Sequence, residues 1–184
     1  LIIEKGDIMA EALTESAKKD SGRISTMTER EGKYLTFCLE NEEYGISILK
    51  IKEIIGMMTI TSVPQTPDFV KGVINLRGKV LPVIDLRQKF SMSEMEYNDK
   101  TCIIVVELDM RDSVLHVGIV VDSVSEVLNI KKEDIDENVS FGVSVHTEYI
   151  QGIARTEDSV KILLDIDQVF NLEELTGFQE AEKF

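Results

Sequence analysis

The side chains in this sequence that could do chemistry are few and scattered. His116 and His146 lie in different segments, and His116 interrupts an apolar run, a position that suits a packed or rim side chain. Cys38 and Cys102 each sit within an alternating apolar stretch; two cysteines make neither a zinc site nor a disulfide framework, and both read as small buried hydrophobes. The acidic neighbours Glu42-Glu43 and Glu173-Glu174 are adjacent in sequence and read as solvated, whereas paired-carboxylate catalysis needs carboxyls converging across a cleft. No phosphate-cradling glycine loop, Gly-x-Ser-x-Gly elbow or His-x-x-x-His pair occurs. The expectation is a protein that is not an enzyme and takes no cofactor.

One polar constellation stands apart. Val73-Ile74-Asn75-Leu76-Arg77-Gly78-Lys79-Val80-Leu81-Pro82-Val83-Ile84-Asp85-Leu86-Arg87 reads as a hairpin with Arg77-Gly78 at its tip. A planar guanidinium on a rigid turn suits bidentate recognition of a carboxylate or carbonyl. On the alternative reading Gly78 supplies positive φ and the arginine points into water.

The elements around this hairpin read as β-strands. Ten short apolar runs are separated by Gly, Pro, Asn and Asp: Tyr34–Leu39, Tyr44–Ile48, Met57–Val63, Val70–Leu76, Lys79–Ile84, Cys102–Leu108, Val114–Val121, Val124–Ile130, Tyr149–Ala154 and Val160–Leu164. That spacing predicts a barrel or sandwich. Helices are confined to connectors such as Leu86–Phe90 and to a C-terminal helix starting near Asp165. Residues 1–31 are polar and mixed in charge, with a thin apolar face over Glu11–Lys18, and read as a flexible N-terminal tail.

An internal repeat organises the rest. Gly45–Ile55 aligns without gaps to Gly118–Leu128, with the Gly and Glu identical and five apolar positions kept. Gly72, Val80, Asp85, Gln88 and Phe90 match Gly152, Val160, Asp165, Gln168 and Phe170 at a second, larger offset, which fits an insertion around Lys131–His146. The period is too long for a solenoid. It predicts two copies of a β-unit, Lys33–Phe90 and Thr101–Phe170, packed on a shared core. Gly45 and Gly118 are expected to permit close approach inside a strand, and Asp85 and Asp165 to cap the helical turns that follow.

Charge excludes several partners. With 34 acidic and 20 basic residues the net charge is -14, which repels nucleic-acid backbones and anionic membrane surfaces. An OB-like binder of single strands would need a basic groove with stacking aromatics, yet aromatics are 6% and tryptophan is absent. No apolar run reaches the roughly 20 residues of a spanning helix, and Glu4 and Asp7 interrupt the first apolar residues, so no signal peptide is visible. The chain reads as cytoplasmic, with no direct membrane insertion.

Several ordered motifs carry a resemblance: Glu43-Tyr44-Gly45-Ile46-x-Ile48-Leu49-Lys50-x-x-Glu53-Ile54, then Pro67-x-Phe69-Val70-Lys71-Gly72-Val73-x-Asn75-Leu76-Arg77-Gly78, then Leu81–Arg87 with Phe90, and Gly118-Ile119-Val120-Val121-Asp122-x-Val124-Ser125-x-Val127-Leu128. From about Tyr34 to Leu175 the chain resembles the CheW-like coupling domains of bacterial chemotaxis. The resemblance implies an all-β fold of two similar five-stranded, SH3-like β-barrels on a shared core, with short connector helices and a C-terminal helix. It places the domain at 32–176, divided into about 32–95 and 96–176, with a C-terminal tail at 177–184. It also implies a stand-alone, non-catalytic adaptor, since no part of a kinase and no receiver domain is visible. The implied partners are the histidine kinase CheA, through its own CheW-like domain, and the cytoplasmic tips of methyl-accepting chemoreceptors, which would recruit the protein to membrane receptor arrays. By resemblance the receptor tip docks in a groove between the barrels near Ile51, Glu53, Gly72, Arg77, Cys102 and Gly118. In that arrangement Glu53 holds the Arg77 guanidinium in place. For the kinase, a modest apolar patch with a polar rim is expected at Met57, Phe69, Lys71 and Val80 on the first barrel.

Overall fold

The computed structural model describes residues 31–110, 113–137, 148–157 and 159–170. The expected N-terminal tail, the C-terminal tail, the bulk of the C-terminal helix, His146 and Glu173-Glu174 lie outside them. Eleven strands follow in order: β1 (Gly32–Leu39), β2 (Glu42–Ser47), β3 (Ile51–Gly56), β4 (Val70–Leu76), β5 (Lys79–Asp85), β6 (Cys102–Asp109), β7 (Val114–Val121), β8 (Ser123–Ile130), β9 (Ile135–Asp136), β10 (Ile150–Arg155) and β11 (Val160–Leu164). Two one-turn helices, α1 (Leu86–Lys89) and α2 (Ile166–Val169), follow β5 and β11. The fold is all-β, as expected. The strands differ from expectation at two places: Met57–Val63 forms no strand beyond a single bridge from Thr61 to Val73, with β3 just before it, and the two-residue β9 falls within the expected insertion. Among the described residues no helix is long and apolar enough to cross a membrane.

The strands form a six-stranded sheet in the order β8-β1-β2-β11-β10-β9 and a five-stranded sheet in the order β3-β6-β7-β5-β4. The two orders are the same once the repeat is applied, with the Thr61 bridge standing where β9 stands. Val83 sits opposite Gly118 in the parallel pair β5–β7, and the matching residues Leu163 and Gly45 sit opposite each other in β11–β2. The expected division at about 95/96 does not separate the sheets. The β1–β2 hairpin belongs to the six-stranded sheet with β8–β11, while β3–β5 flank β6–β7 in the five-stranded one. Each barrel-like unit is therefore a composite of both halves.

Central strands are buried on both faces, which is why they read as continuous apolar runs instead of clean alternation. In β6, Cys102, Ile104, Val106 and Leu108 enter a large core shared by both sheets, while Ile103 and Val105 enter a small core inside the five-stranded unit with Ile74, Leu81, Val83 and Val120. In β1, Leu35, Phe37 and Leu39 face the shared core and Tyr34 joins Ile130, Ile135, Ala154 and Leu163 inside the other unit. Gly45 and Gly118 point at these small cores, where an added Cβ would lie 3.0 Å from Leu163 Cδ2 and 2.8 Å from Ile103 Cγ2. Gly72 has φ +136°, and a Cβ there would lie 2.1 Å from the Thr61 carbonyl oxygen.

The two helical turns are capped as the sequence predicts. The Asp85 carboxylate accepts the backbone N–H groups of Arg87 and Gln88, and Asp165 accepts that of Asp167. An unforeseen ion cluster locks the first turn. The buried Arg87 guanidinium reaches Glu40 at 3.1 Å and Asp122 at 3.2 Å, and its Nε donates to the Ser93 carbonyl. It thereby joins the β1–β2 turn, the β7–β8 connection and the segment that leads to β6. Tyr97 from that segment donates its hydroxyl to Asp85 at 3.0 Å, and burial followed by the Asp85 charge pushes its pKa up. The equivalent place in the other half again holds one cation between two carboxylates, but supplied from a different position: Asp167 stands where Arg87 does, and Lys50 bridges Asp109 at 2.5 Å and Asp167 at 2.6 Å. Burial alone would lower the Lys50 pKa, but the two carboxylates outweigh it and raise it.

Candidate functional site

Arg77 occupies the tip of the β4–β5 hairpin, a two-residue turn closed by the Leu76–Lys79 pair. Both central residues have positive φ, +53° at Arg77 and +86° at Gly78, the geometry of a type I′ turn that matches strand twist. A non-glycine residue in this region carries a cost of about 1 kcal/mol. The turn is braced by Asn75, whose side-chain oxygen accepts the Gly78 N–H at 2.8 Å.

The guanidinium does not simply point into water. Its two terminal nitrogens donate to the two oxygens of Glu53 at 2.8 and 3.2 Å, a bidentate pair across the sheet from β4 to β3. The Arg77 side chain is 76% exposed, so such a pair stabilises the fold by only about 0–1 kcal/mol. Its effect is to fix the direction of the arginine. The means of bringing Glu53 there is local. The register of β3 on β6 shifts between Ile51, opposite Val106, and Glu53, opposite Val105, so Lys52 is an extra residue in a β-bulge. A bulge re-aims side chains, and Lys52 and Glu53 both line the same cleft.

That cleft, of about 260 Å3, lies at the mouth of the five-stranded unit. Leu76, Leu81 and Val105 form its apolar wall, and Lys52, Glu53, Arg77, Lys79 and His116 form its polar rim. Lys52 bonds Glu107 at 2.5 Å, and that hydrogen bond holds the Glu107 carboxyl below its ordinary range. His116 Nε2 lies 3.5 Å from the same carboxylate. The histidine is thus a rim residue.

The other expected site residues divide by burial. Glu53 and Arg77 meet. Ile51 and Cys102 are buried in the shared core, and Gly72 and Gly118 are buried with the space beside them filled by Thr61 and Ile103. These four are packing residues beneath the surface, not walls of an open groove. The cleft is also lined by one sheet alone, not by the junction of the two units. Cys38 is only half-buried, and its Sγ lies 3.5 Å from Ser125 Oγ. Glu43 is not simply solvated, since it pairs with buried Lys161.

The four residues expected at a kinase surface do not form one patch. Met57 packs against the small core of the five-stranded unit, whereas Phe69 packs against the shared core under the Lys89 ammonium, 4.4 Å from its ring centre. Lys71 pairs with Glu94 at 3.3 Å, and Val80 is half-buried near the opposite end of the hairpin. Sequence reasoning missed Lys52 and Lys79, and read His116 as a packed or rim side chain without placing it in the site. Their common signal was the repeat itself, which aligns them with Ser125, Ser159 and Glu43.

Comparison with known proteins sets this geometry in context. Residues 33–174 match the family described as CheW-like domain. The chain is 44% identical over 150 residues to the chemotaxis protein CheW of Klebsiella aerogenes, covering 82% of this chain and 88% of that protein. It is 34% identical over 142 residues to the chemotaxis protein CheW of Bacillus subtilis, covering 77% and 88%. The crystal structure of the scaffolding protein TtCheW from Thermoanaerobacter tengcongensis superimposes with a TM-score of 0.68 at 33% identity, covering 78% of this chain and 95% of that one.

Proposed function

The chain belongs to the CheW-like family, and from that premise we propose that it is a non-catalytic coupling protein of bacterial chemotaxis, one that holds a histidine kinase against the cytoplasmic tips of chemoreceptors. The observation that carries the reading is the bidentate Arg77–Glu53 pair at the rim of the cleft. A turn residue held in a strained conformation, with its charged fork aimed by a neighbouring carboxylate, is placed for directional contact with a partner and adds little to fold stability.

The receptor contact is assigned to Arg77 and Glu53, with Ile51, Gly72, Cys102 and Gly118 supporting it from within. The kinase contact is assigned to the far end of the same hairpin, at Phe69 and Lys71. Seven residues of extended strand separate the two ends by roughly 20 Å, enough for two partners to bind at once. Pull-down of a receptor cytoplasmic fragment and of the kinase tests this. Arg77→Ala is expected to lose the receptor and keep the kinase, and Lys71→Glu to do the reverse. Phe69→Ser is a second kinase-side variant, read only if its circular dichroism matches the parent. Full receptor affinity in Arg77→Ala would remove the hairpin tip from the site.

A further inference from the structure

We infer that the cleft beneath the hairpin tip selects an acidic partner segment, one that seats an apolar side chain against Leu76, Leu81 and Val105 and presents carboxylates to Lys52 and Lys79. The inference rests on the reading of this cleft as the receptor dock and adds the chemistry of what enters it.

Charge is the first ground. Among the lining residues Lys52, Arg77 and Lys79 are cationic and only Glu53 is anionic, in a chain whose net charge is -14. A local excess of positive charge beside low-dielectric apolar walls focuses an attractive field for anions. Two of the three cations have carboxylates of their own, Glu53 for Arg77 and Glu107 for Lys52. Lys79 is exposed and has no carboxylate within ion-pair distance among the described residues.

The repeat supplies the second ground. In the six-stranded unit the positions matching Lys52, Lys79 and His116 carry Ser125, Ser159 and Glu43, and Glu157 stands where Arg77 does. Since the same backbone carries serine at two of these positions and glutamate at the other two, the cationic rim is not imposed by the fold. The apolar wall has the same character: Val105 and Leu81 correspond to Thr36 and Lys161. An apolar floor with a cationic rim fits a segment that is itself apolar on one side and acidic at its edges.

The test uses the full chain and two labelled helical peptides with the same apolar residues, one with glutamates and one with lysines at the polar positions. Fluorescence anisotropy is expected to show binding of the glutamate peptide alone, weakening as ionic strength rises. Lys79→Glu should weaken it about tenfold and Lys52→Glu/Lys79→Glu further. Lys131→Glu, on an exposed turn outside the cleft, should leave it unchanged. Equal binding of both peptides, or unaltered affinity in Lys52→Glu/Lys79→Glu, overturns the inference, as does equal retention on anionic vesicles. A receptor cytoplasmic fragment assayed in parallel separates the two readings. If Arg77→Ala loses the fragment while the double lysine variant binds it as tightly as the parent, the dock stands and the selection for acid falls. If Arg77→Ala binds the fragment fully while the glutamate peptide still requires Lys79, the acid-selective cleft stands and the receptor reading falls.

Discussion

At matching points of the two sheets the same bulge carries different chemistry. In the six-stranded unit the register of β1 on β8 slips between Leu35 and Phe37, and the Thr36 hydroxyl closes the slip by donating to the Glu126 carbonyl and accepting the Glu126 N–H. Beside it the buried Lys161 ammonium pairs with Glu43, so this mouth is satisfied from within. In the five-stranded unit Val105 replaces the threonine and Leu81 the lysine, the mouth stays open, and its polar groups stand at the rim. The comparison teaches that the fold needs a bulge at each mouth but does not dictate what fills it. One mouth contributes to stability, and the other, on the function proposed above, is the one a partner enters.

The largest test of this contrast is at the paired glycines. Gly72→Ala meets both positive φ and a backbone oxygen, and should cost more than about 3 kcal/mol or prevent folding. At Gly152 an added Cβ would lie 2.8 Å from Ile135 Cγ2 and 3.0 Å from the Asp136 oxygen without a left-handed φ, so Gly152→Ala should cost about 1–2 kcal/mol. Equal urea midpoints for the two variants would break the comparison.

Lys161→Ala comes next. It strands Glu43 beside a cavity and should cost about 3 kcal/mol by urea unfolding, with a like loss for Arg87→Ala, which leaves Glu40 and Asp122 facing each other. The more exposed Lys50 clamp should give about 1 kcal/mol on Lys50→Met. Because the Lys50 pKa is raised in the fold, its contribution is full below about 10.5 and disappears as pH climbs through the higher folded value. The parent should therefore lose stability at alkaline pH more steeply than Lys50→Met.

Smaller effects sharpen the contrast. Thr36→Val removes both bonds to the Glu126 backbone and should cost about 1–2 kcal/mol. Arg77→Ala should cost less than about 1 kcal/mol, since the pair is exposed and alanine, which keeps a Cβ at positive φ, leaves the turn as it is. A large loss there would make the open mouth structural too.

The sequence makes much of the fold legible but little of its exchange of strands. Val70–Leu76, Val114–Val121 and Val160–Leu164 match the observed strands because turn residues bound them sharply. β3 was obscured because Ile51-Lys52-Glu53-Ile54-Ile55 breaks alternation at its bulge, the same irregularity that builds the site. A repeat reveals which segments are alike, not which segments pair, so the composite sheets were hidden. Arg77 and Glu53 were readable from a turn signal and a repeated glutamate. Cys102 as a buried residue and Gly118 as a point of close approach were readable too, but not that they and Gly72 lie beneath the surface instead of lining a groove, because strands buried on both faces give no sign of which way a residue points. Nothing in the sequence marks Arg87 and Lys161 as buried, and only the tertiary structure brings their carboxylates within reach.

The exchange of strands has a consequence for the newborn chain. The six-stranded sheet needs β1 and β2 from the beginning of the domain and β11 from its end, and β2 finds its parallel neighbour only at Ile162–Leu164. During synthesis the first hairpin therefore leaves the ribosome with both long sides unclaimed, since β1 waits for β8 and β2 for β11. Its apolar residues wait until nearly the whole domain has been made, and such long-range pairing is slow and exposed to aggregation. No ribosomal pause at the sequence midpoint could release a finished half, and a chain cut between Ser91 and Lys100 should yield two fragments that fold only in each other's presence.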